Sequence, residues 1–253
     1  MSKSWAVVTG ASSGLGVAYA ERMAADGANV VLVARSVDKM EKVAASLRAQ
    51  HGVDTLVLAV DLTDRAARAE LVELLKERDV SHLINNAGFG TINSFHEISE
   101  ERILSELELN VVALTELSRA AVPGMLSRGR GAIINVSSTA AFQAIPEMAV
   151  YAAAKAYVLR FTSALWGELK TTGVRALAVC PGPTETEFFA NAGRASAMRR
   201  RRTPEQVVDA TFDALGRHRP FVVDGTINKV LAFTNRLVPV DLQVAVARHV
   251  ATH

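Results

Sequence analysis

Along this chain, short apolar runs of strand length alternate with longer stretches whose apolar positions recur at helical spacing. The strand-like runs are Ala6–Thr9, Asn29–Ala34, Asp54–Val60, His82–Asn85, Ala132–Ser137, Arg175–Val179 and Pro220–Val223. Helical patterns fill the gaps at Leu15–Ala25, Val37–Gln50, Arg65–Glu77, Glu100–Ser127, Val150–Thr171 and Pro204–Leu215. Alternation of this kind predicts an α/β fold, a doubly wound parallel sheet of about seven strands with helices on both faces. The strands are apolar nearly throughout, as a sheet covered on both faces requires. No Pro/Gly/Ser-rich linker and no internal repeat interrupts the pattern, so a single domain is expected. Ligands of such sheets sit beyond the carboxyl ends of the strands.

Composition narrows the functional classes. The chain has 253 residues, 49% of them hydrophobic and 21% charged, enough for a sizeable core and too apolar for extensive disorder. A net charge of +2, with no basic helix carrying interleaved aromatics, gives no footprint for nucleic acid. No apolar run reaches the ~18 residues of a membrane span, so stable membrane insertion is not expected. The first strand begins almost at the N-terminus, so no signal peptide is expected. The single cysteine, Cys180, excludes an intrachain disulfide and makes a cytoplasmic location the default. Cys180 ends an apolar strand and reads as a small core residue. The histidines show no metal-ligand spacing, so no metal is expected.

The candidate chemistry starts at the first strand-to-helix junction, "VTGASSGLG". A strand that ends in small residues and opens into a helix aims free N–H groups and the positive end of the helix dipole at one point, which suits a phosphate. The spacing Gly10-x-x-x-Gly14-x-Gly16 differs from both G-x-G-x-x-G and the P-loop, and no lysine follows Gly16. At the end of the second strand, dinucleotide-binding folds often place an acidic residue on the ribose 2′-OH. Here Ala34-Arg35-Ser36 stands instead, and a guanidinium suits a 2′-phosphate, which points to NADP(H). Further on, Tyr151 and Lys155 lie four apart on a predicted helix and share a face. A neighbouring ammonium stabilises a phenolate; lowering the tyrosine by about 3 pKa units takes roughly 4 kcal/mol, a demand suited to one close cation plus a positively charged nicotinamide. Tyr151 then serves as acid in reduction and base in oxidation.

With these motifs in order, the sequence resembles the short-chain dehydrogenase/reductase superfamily. The resemblance runs from Trp5 to about Val223 and rests on Thr9-Gly10-x-x-x-Gly14-x-Gly16, Asp61-Leu62, Asn85-Asn86-Ala87-Gly88, Asn110, Ser137-Ser138, Tyr151-x-x-x-Lys155 and Pro181-Gly182. It implies a single NAD(P)-binding Rossmann domain over 1–253, with a substrate lid at about 183–203 and a C-terminal helical segment at about 226–253. The family's serine usually lies thirteen positions before the tyrosine, which selects Ser138 over Ser137. The implied catalytic set is Asn110, Ser138, Tyr151 and Lys155. Ser138 polarises the carbonyl, Tyr151 moves the proton, Lys155 also holds the nicotinamide ribose, and Asn110 holds a water. The implied cofactor contacts are Gly10, Ser12, Ser13, Gly14, Leu15 and Gly16 for the pyrophosphate. Asp61 and Leu62 serve the adenine, and Asn86, Ala87 and Gly88 the adenosine side. Pro181, Gly182, Thr184 and Thr186 complete the nicotinamide end.

The resemblance implies an NADPH-dependent enzyme interconverting a small-molecule ketone and secondary alcohol. "PGPTETEFF" and "VVDGTINKVLAFTNRLVP" look like the branch of ketoacyl reductases and 17β-hydroxysteroid dehydrogenases. Phe188, Phe189 and Met198 in the expected lid favour a bulky apolar substrate. The run Arg199–Arg202 reads either as a solvated charge run or as an anion site. Asn85 reads as a ligand contact or as support for the turn at Asn86, His82 as structural, and Phe161 and Trp166 as packing or interface residues. The long fourth and fifth helical stretches imply a homodimer or homotetramer. The alternatives are a non-catalytic NADP-binding regulator and a sugar-nucleotide epimerase or dehydratase. The complete Asn-Ser-Tyr-Lys set argues against the first. The loop spacing argues against the second.

Overall fold

The computed structural model describes residues 3–185, 202–235 and 238–252. Its first half runs β1 (Trp5–Thr9), α1 (Gly14–Ala25), β2 (Asn29–Ala34), α2 (Val37–His51), β3 (Thr55–Ala59), α3 (Arg68–Glu77), β4 (Val80–Asn85), α4 (Glu100–Leu107) and α5 (Leu114–Arg128). The second half runs β5 (Gly131–Val136), α6 (Ala149–Leu169), β6 (Val174–Cys180), α7 (Pro204–Gly216), β7 (Phe221–Val223), α8 (Thr226–Thr234) and α9 (Val240–Thr252). The seven strands form one sheet in the order β3-β2-β1-β4-β5-β6-β7, with every pairing parallel. The expected doubly wound architecture is therefore present in a single domain. The strand order reverses between β1 and β4, which opens the crevice where such sheets take ligands.

Strand alternation divides the core. Ala6 and Val8 of β1, Val30 and Leu32 of β2 and Ile134 of β5 face α1, α2 and α7, where Met23, Met40 and Val207 are buried. Val7, Val31, Val33 and Ile133 face the opposite way, onto Leu71 and Leu75 of α3 and Leu117 and Met125 of α5. Both layers are closed to water, which explains the unbroken apolar character of the strands. Local signals set the helix limits. Ser99 accepts a bond from the Arg102 N–H at the start of α4, and Thr203 with Gln206 builds a capping box at α7. Gly52 and Gly129 stop α2 and α5 in the left-handed conformation.

Two helices depart most from the expected limits. The third starts at Arg68 rather than Arg65, because Asp64 Oδ1 accepts from the N–H groups of Ala66 and Ala67 and holds a turn there. The stretch expected as one helix over Glu100–Ser127 contains a π-helical turn, Glu108–Ala113, between α4 and α5. Among the described residues no helix is long and apolar enough to cross a membrane.

Polar groups cross both layers at a few fixed points. Asn85 Nδ2 donates to Asn135 Oδ1 at 2.9 Å and to Ser118 Oγ at 3.1 Å, and Asn135 Nδ2 donates to Thr162 Oγ1 at 2.9 Å. This buried ladder ties β4 and β5 to α5 and α6. Asn85 thus supports the packing of β4 against β5 and α5, and the turn at Asn86 is held instead by Thr9. Arg68 is wholly buried, and it donates to Glu108 Oε1 and Glu116 Oε2, both at 2.7 Å, and to the Leu62 carbonyl. It thereby links α3 to the π-helical turn and to α5. Removing one member of such a buried set leaves the others uncompensated. Arg68→Ala is expected to lower the unfolding free energy by about 3 kcal/mol, read from urea unfolding followed by far-UV circular dichroism. A loss below about 1 kcal/mol would mean the set is no stronger than a surface pair.

Candidate active site

At the carboxyl ends of β1, β4, β5 and β6 the sheet opens into a cleft of about 290 Å³. Its phosphate side begins at α1. Ser13 stands at the N-cap with extended backbone, and its side chain makes no capping bond. The first N–H groups of α1 are thus left for a ligand, and Ser13, Gly14 and Leu15 line the cleft. Two glycines shape the turn from behind. A Cβ on Gly16 would collide with the Gly10 carbonyl, and Gly10 itself has φ +67° and would press a Cβ onto the Asn86 amide. Ser12 is half-buried in the same turn, outside the cleft lining.

Thr9, read from sequence only as part of the glycine motif, clamps this turn to the next loop. Its Oγ1 accepts from the N–H groups of Asn86 and Ala87, both at 3.0 Å, while Asn86 Nδ2 returns a bond to the Thr9 carbonyl. Asn86 and Gly88 line the cleft, and Ala87 packs against the lower core layer. Arg35 is exposed just past β2, and Asp61 and Leu62 follow β3. Asp61 Oδ1 accepts from the N–H and hydroxyl of Thr63, which holds its carboxyl below the usual range, and Arg35 adds to that effect. Leu62 is buried, so its carbonyl and not its side chain meets polar partners.

The reactive side is built where β5 meets α6. Ser138, Tyr151 and Lys155 all line the cleft. Ser138 Oγ accepts from the Ala140 N–H at 3.1 Å and hydrogen-bonds the Tyr151 side chain. Lys155 Nζ lies 5.6 Å from the centre of the Tyr151 ring and donates to the Val136 carbonyl at 2.9 Å. Ser137 lines the cleft too, but its hydroxyl is engaged, donating to the Lys155 carbonyl at 2.7 Å. Ser138, thirteen residues before Tyr151, is the one of the two serines that bonds the Tyr151 side chain.

Burial pushes the Tyr151 phenol up to about 12, partly opposed by the Ser138 bond. Burial also brings Lys155 down to about 8. Desolvation disfavours the charged form of each group and is the largest influence on both. The Cys180 thiol, fully buried at the end of β6, is likewise pushed up to about 12 by desolvation, in keeping with a core role.

Asn110 falls in the π-helical turn, a distortion common at functional sites. Its Nδ2 donates to the Phe89 carbonyl at 2.7 Å, while its buried Oδ1 has no partner. A Cβ on Gly88 would sit 2.5 Å from that oxygen and 3.2 Å from Lys155 Nζ, so Gly88 keeps the space between them open. Pro181, Gly182 and Thr184 close the far wall, with Thr184 Oγ1 donating to the Gly182 carbonyl at 3.0 Å. Gln143, Ile145 and Met148 add wall residues that no motif marked. Thr186, the inner part of the expected lid with Phe188, Phe189 and Met198, and Arg199–Arg201 lie outside the described residues. Arg202 belongs to neither reading of its run. It bridges Thr184, and its guanidinium pairs with buried Asp224 through two bonds of 2.8 and 2.9 Å.

A dinucleotide fits this donor set. The bare α1 N-terminus with two glycines that tolerate no Cβ offers a phosphate cradle, and a cation stands past β2 for a further phosphate. Among the described residues there is no cluster of side chains able to hold a metal ion. Comparison with known proteins agrees with the geometry. Residues 4–197 match the family described as short chain dehydrogenase. The very-long-chain 3-oxoacyl-CoA reductase of Anas platyrhynchos is 34% identical over 182 residues, 70% of this chain and 58% of that one. The inactive hydroxysteroid dehydrogenase-like protein 1 of Homo sapiens is 33% identical over 189 residues, 74% of this chain and 57% of that one. The chain thus spans a little over half the length of these curated relatives. Among solved structures, a short-chain dehydrogenase from Sphingobium yanoikuyae in complex with NADPH superposes with a TM-score of 0.84, at 36% identity and 87% coverage of both chains.

Proposed function

Because the chain belongs to the short-chain dehydrogenase family, we propose that it is an NADPH-dependent oxidoreductase interconverting a ketone and a secondary alcohol on a bulky, apolar substrate. The observation that carries this reading is the meeting of Ser138, Tyr151 and Lys155 in one cleft with the uncapped start of α1. A non-catalytic binder needs the second feature and has no use for the first. The NADPH complex of a relative at 36% identity and the 3-oxoacyl-CoA reductase name of another support cofactor and substrate class. Ile145 and Met148 supply apolar wall on the substrate side.

The bound cofactor supplies the hydride. Ser13, Gly14 and Leu15 hold its pyrophosphate in this reading, with Gly10, Ser12 and Gly16 shaping the turn. Arg35 takes the 2′-phosphate, Asp61 and Leu62 the adenine, and Asn86, Ala87 and Gly88 the adenosine side. Pro181, Gly182 and Thr184 hold the nicotinamide end, and Thr186 is assigned there on the family pattern alone. In reduction, Ser138 donates to the substrate oxygen and stabilises its growing charge. Tyr151 gives that oxygen its phenolic proton. The high intrinsic cost of the buried phenolate means Lys155 must be charged at that moment. Asn110 holds the water that returns the proton. Leu104, Val112, Leu126 and Tyr157 are exposed along α4 to α6, an apolar face suited to self-association as a dimer or tetramer.

Tyr151→Phe keeps the ring and removes the proton. Turnover of a bulky ketone should fall by about 10²–10⁴-fold, with NADPH affinity by fluorescence titration largely kept. A variant as active as the parent would refute the assigned acid. Arg35→Ala should erase a preference for NADPH over NADH of about ten- to a hundred-fold, measured by titrating both cofactors. Equal affinities in the parent protein would reject the 2′-phosphate contact. Light scattering at micromolar concentration should give at least twice the chain mass, and a monomer alone would reject the α4–α6 face as an interface.

A further inference from the structure

Glu106 is a titratable group that the reaction as described does not use, and its setting is unusual. It is 1% exposed on α4, one helical turn ahead of Asn110. Its Oε1 is buried without a partner, as is the neighbouring Asn110 Oδ1. Thr91 bonds its carboxyl through both backbone and side chain, and Arg102 Nε in turn donates to Thr91 Oγ1 at 3.0 Å. Arg102 is itself fixed, with its guanidinium 4.0 Å from the Phe89 ring centre. The segment that presents Phe89 to Thr91 thus grips Asn110 at one end and Glu106 at the other. A surface glutamate needs none of this scaffolding.

We propose that Glu106 is a positioning residue for the Tyr151–Lys155 pair, its buried carboxylate sharing a small cavity with Ala149 and Val150 at the start of α6 and holding the Lys155 ammonium in its charged form. The proposal rests on the reading of the cleft as a ketone-reducing site and adds a residue to it. The charged and titratable groups around Glu106 are Arg102 on its own helix, Tyr151 and Lys155 on α6, and Glu147 just before α6, which lines a small second cavity with it. Burial works to protonate Glu106, while Thr91, Arg102 and Lys155 favour its charged form. In return, the Glu106 charge raises both Lys155 and Tyr151. Among the influences on Lys155 it opposes the burial that brings the amine down to about 8, with Cys180 adding a smaller push in the same direction. Removing the charge therefore moves both groups the same way, to lower pH. Interacting groups titrate as a pair, and the direction holds for the pair as a whole.

The test is Glu106→Gln, which keeps shape and removes charge, beside Glu106→Asp, which keeps charge on a shorter arm. Lys155 is followed by NMR in protein carrying 13C at the lysine ε position, its signal assigned as the one lost in Lys155→Arg. In Glu106→Gln its titration should fall by about one pH unit, and the alkaline limb of kcat/KM for ketone reduction should move down with it. Glu106→Asp should lie between parent and Gln. It carries the test alone if the Gln variant does not fold, with a smaller fall required in the same direction. A role confined to packing would lower rates or melting temperature and leave the Lys155 titration in place. That outcome overturns the proposal. The NMR titration needs no substrate. A protein that reduces no ketone but shows the Lys155 shift overturns the functional reading alone, whereas turnover with an unmoved Lys155 overturns this one alone.

Discussion

Two reciprocal hydrogen bonds between β5 and α6 carry the rest of the site. Ser137 Oγ donates to the Lys155 carbonyl, and Lys155 Nζ donates to the Val136 carbonyl. Together they fix the depth and rotation of α6 over the end of β5. Once these are fixed, Ser138 must emerge beside Tyr151, since one follows Ser137 directly and the other lies a turn before Lys155. The bonds also explain how an ammonium is tolerated in a buried place. A carbonyl at a strand end gives Lys155 one oriented partner where water would have given several.

The same economy governs the remaining polar groups. The two core layers exclude water, and polar side chains within them are held by one another, as in the Asn85–Asn135–Thr162 ladder and the Arg68 fork. These sets lie beneath the cleft and hold the helices that build its walls. Asn110 Oδ1 and Glu106 Oε1 are left without partners, as is Asn85 Oδ1 in the ladder, and the low-dielectric surroundings that make such atoms costly also make any charge placed among them strongly felt.

The sheet was legible because its covered strands admit few polar residues, and six helices were legible from spacing alone. The glycine turn and the Tyr151–Lys155 pair were readable because their residues lie close in sequence. What stayed hidden depends on distant partners. The π-helical turn is absent from the pattern of apolar positions over Glu100–Ser127, and in the fold Asn110 there reaches the Phe89 carbonyl, twenty-one residues earlier. Thr9 gained its clamp from Asn86, seventy-seven residues away. Glu106 sits in "EERILSELELN", where an acidic residue reads as a solvated helix face. Arg202 reads as the end of a charge run, and its partner Asp224 lies twenty-two residues on. The burial of Tyr151 was hidden for a related reason. Sequence shows the nearby cation and is silent on the desolvation that raises the phenol.

The Arg202–Asp224 pair has a consequence for how this protein can change over generations. Pro183, Thr184 and Glu185 meet Arg202 through a bridge and backbone bonds, and Asp224 anchors that meeting point to the end of β7. Asp224 is buried, so losing Arg202 strands its carboxylate without the partner that offsets its desolvation. The two positions are bound to vary together, a coupling that twenty-two intervening residues conceal, and it ties the inheritance of β7 to that of the cleft wall at Thr184.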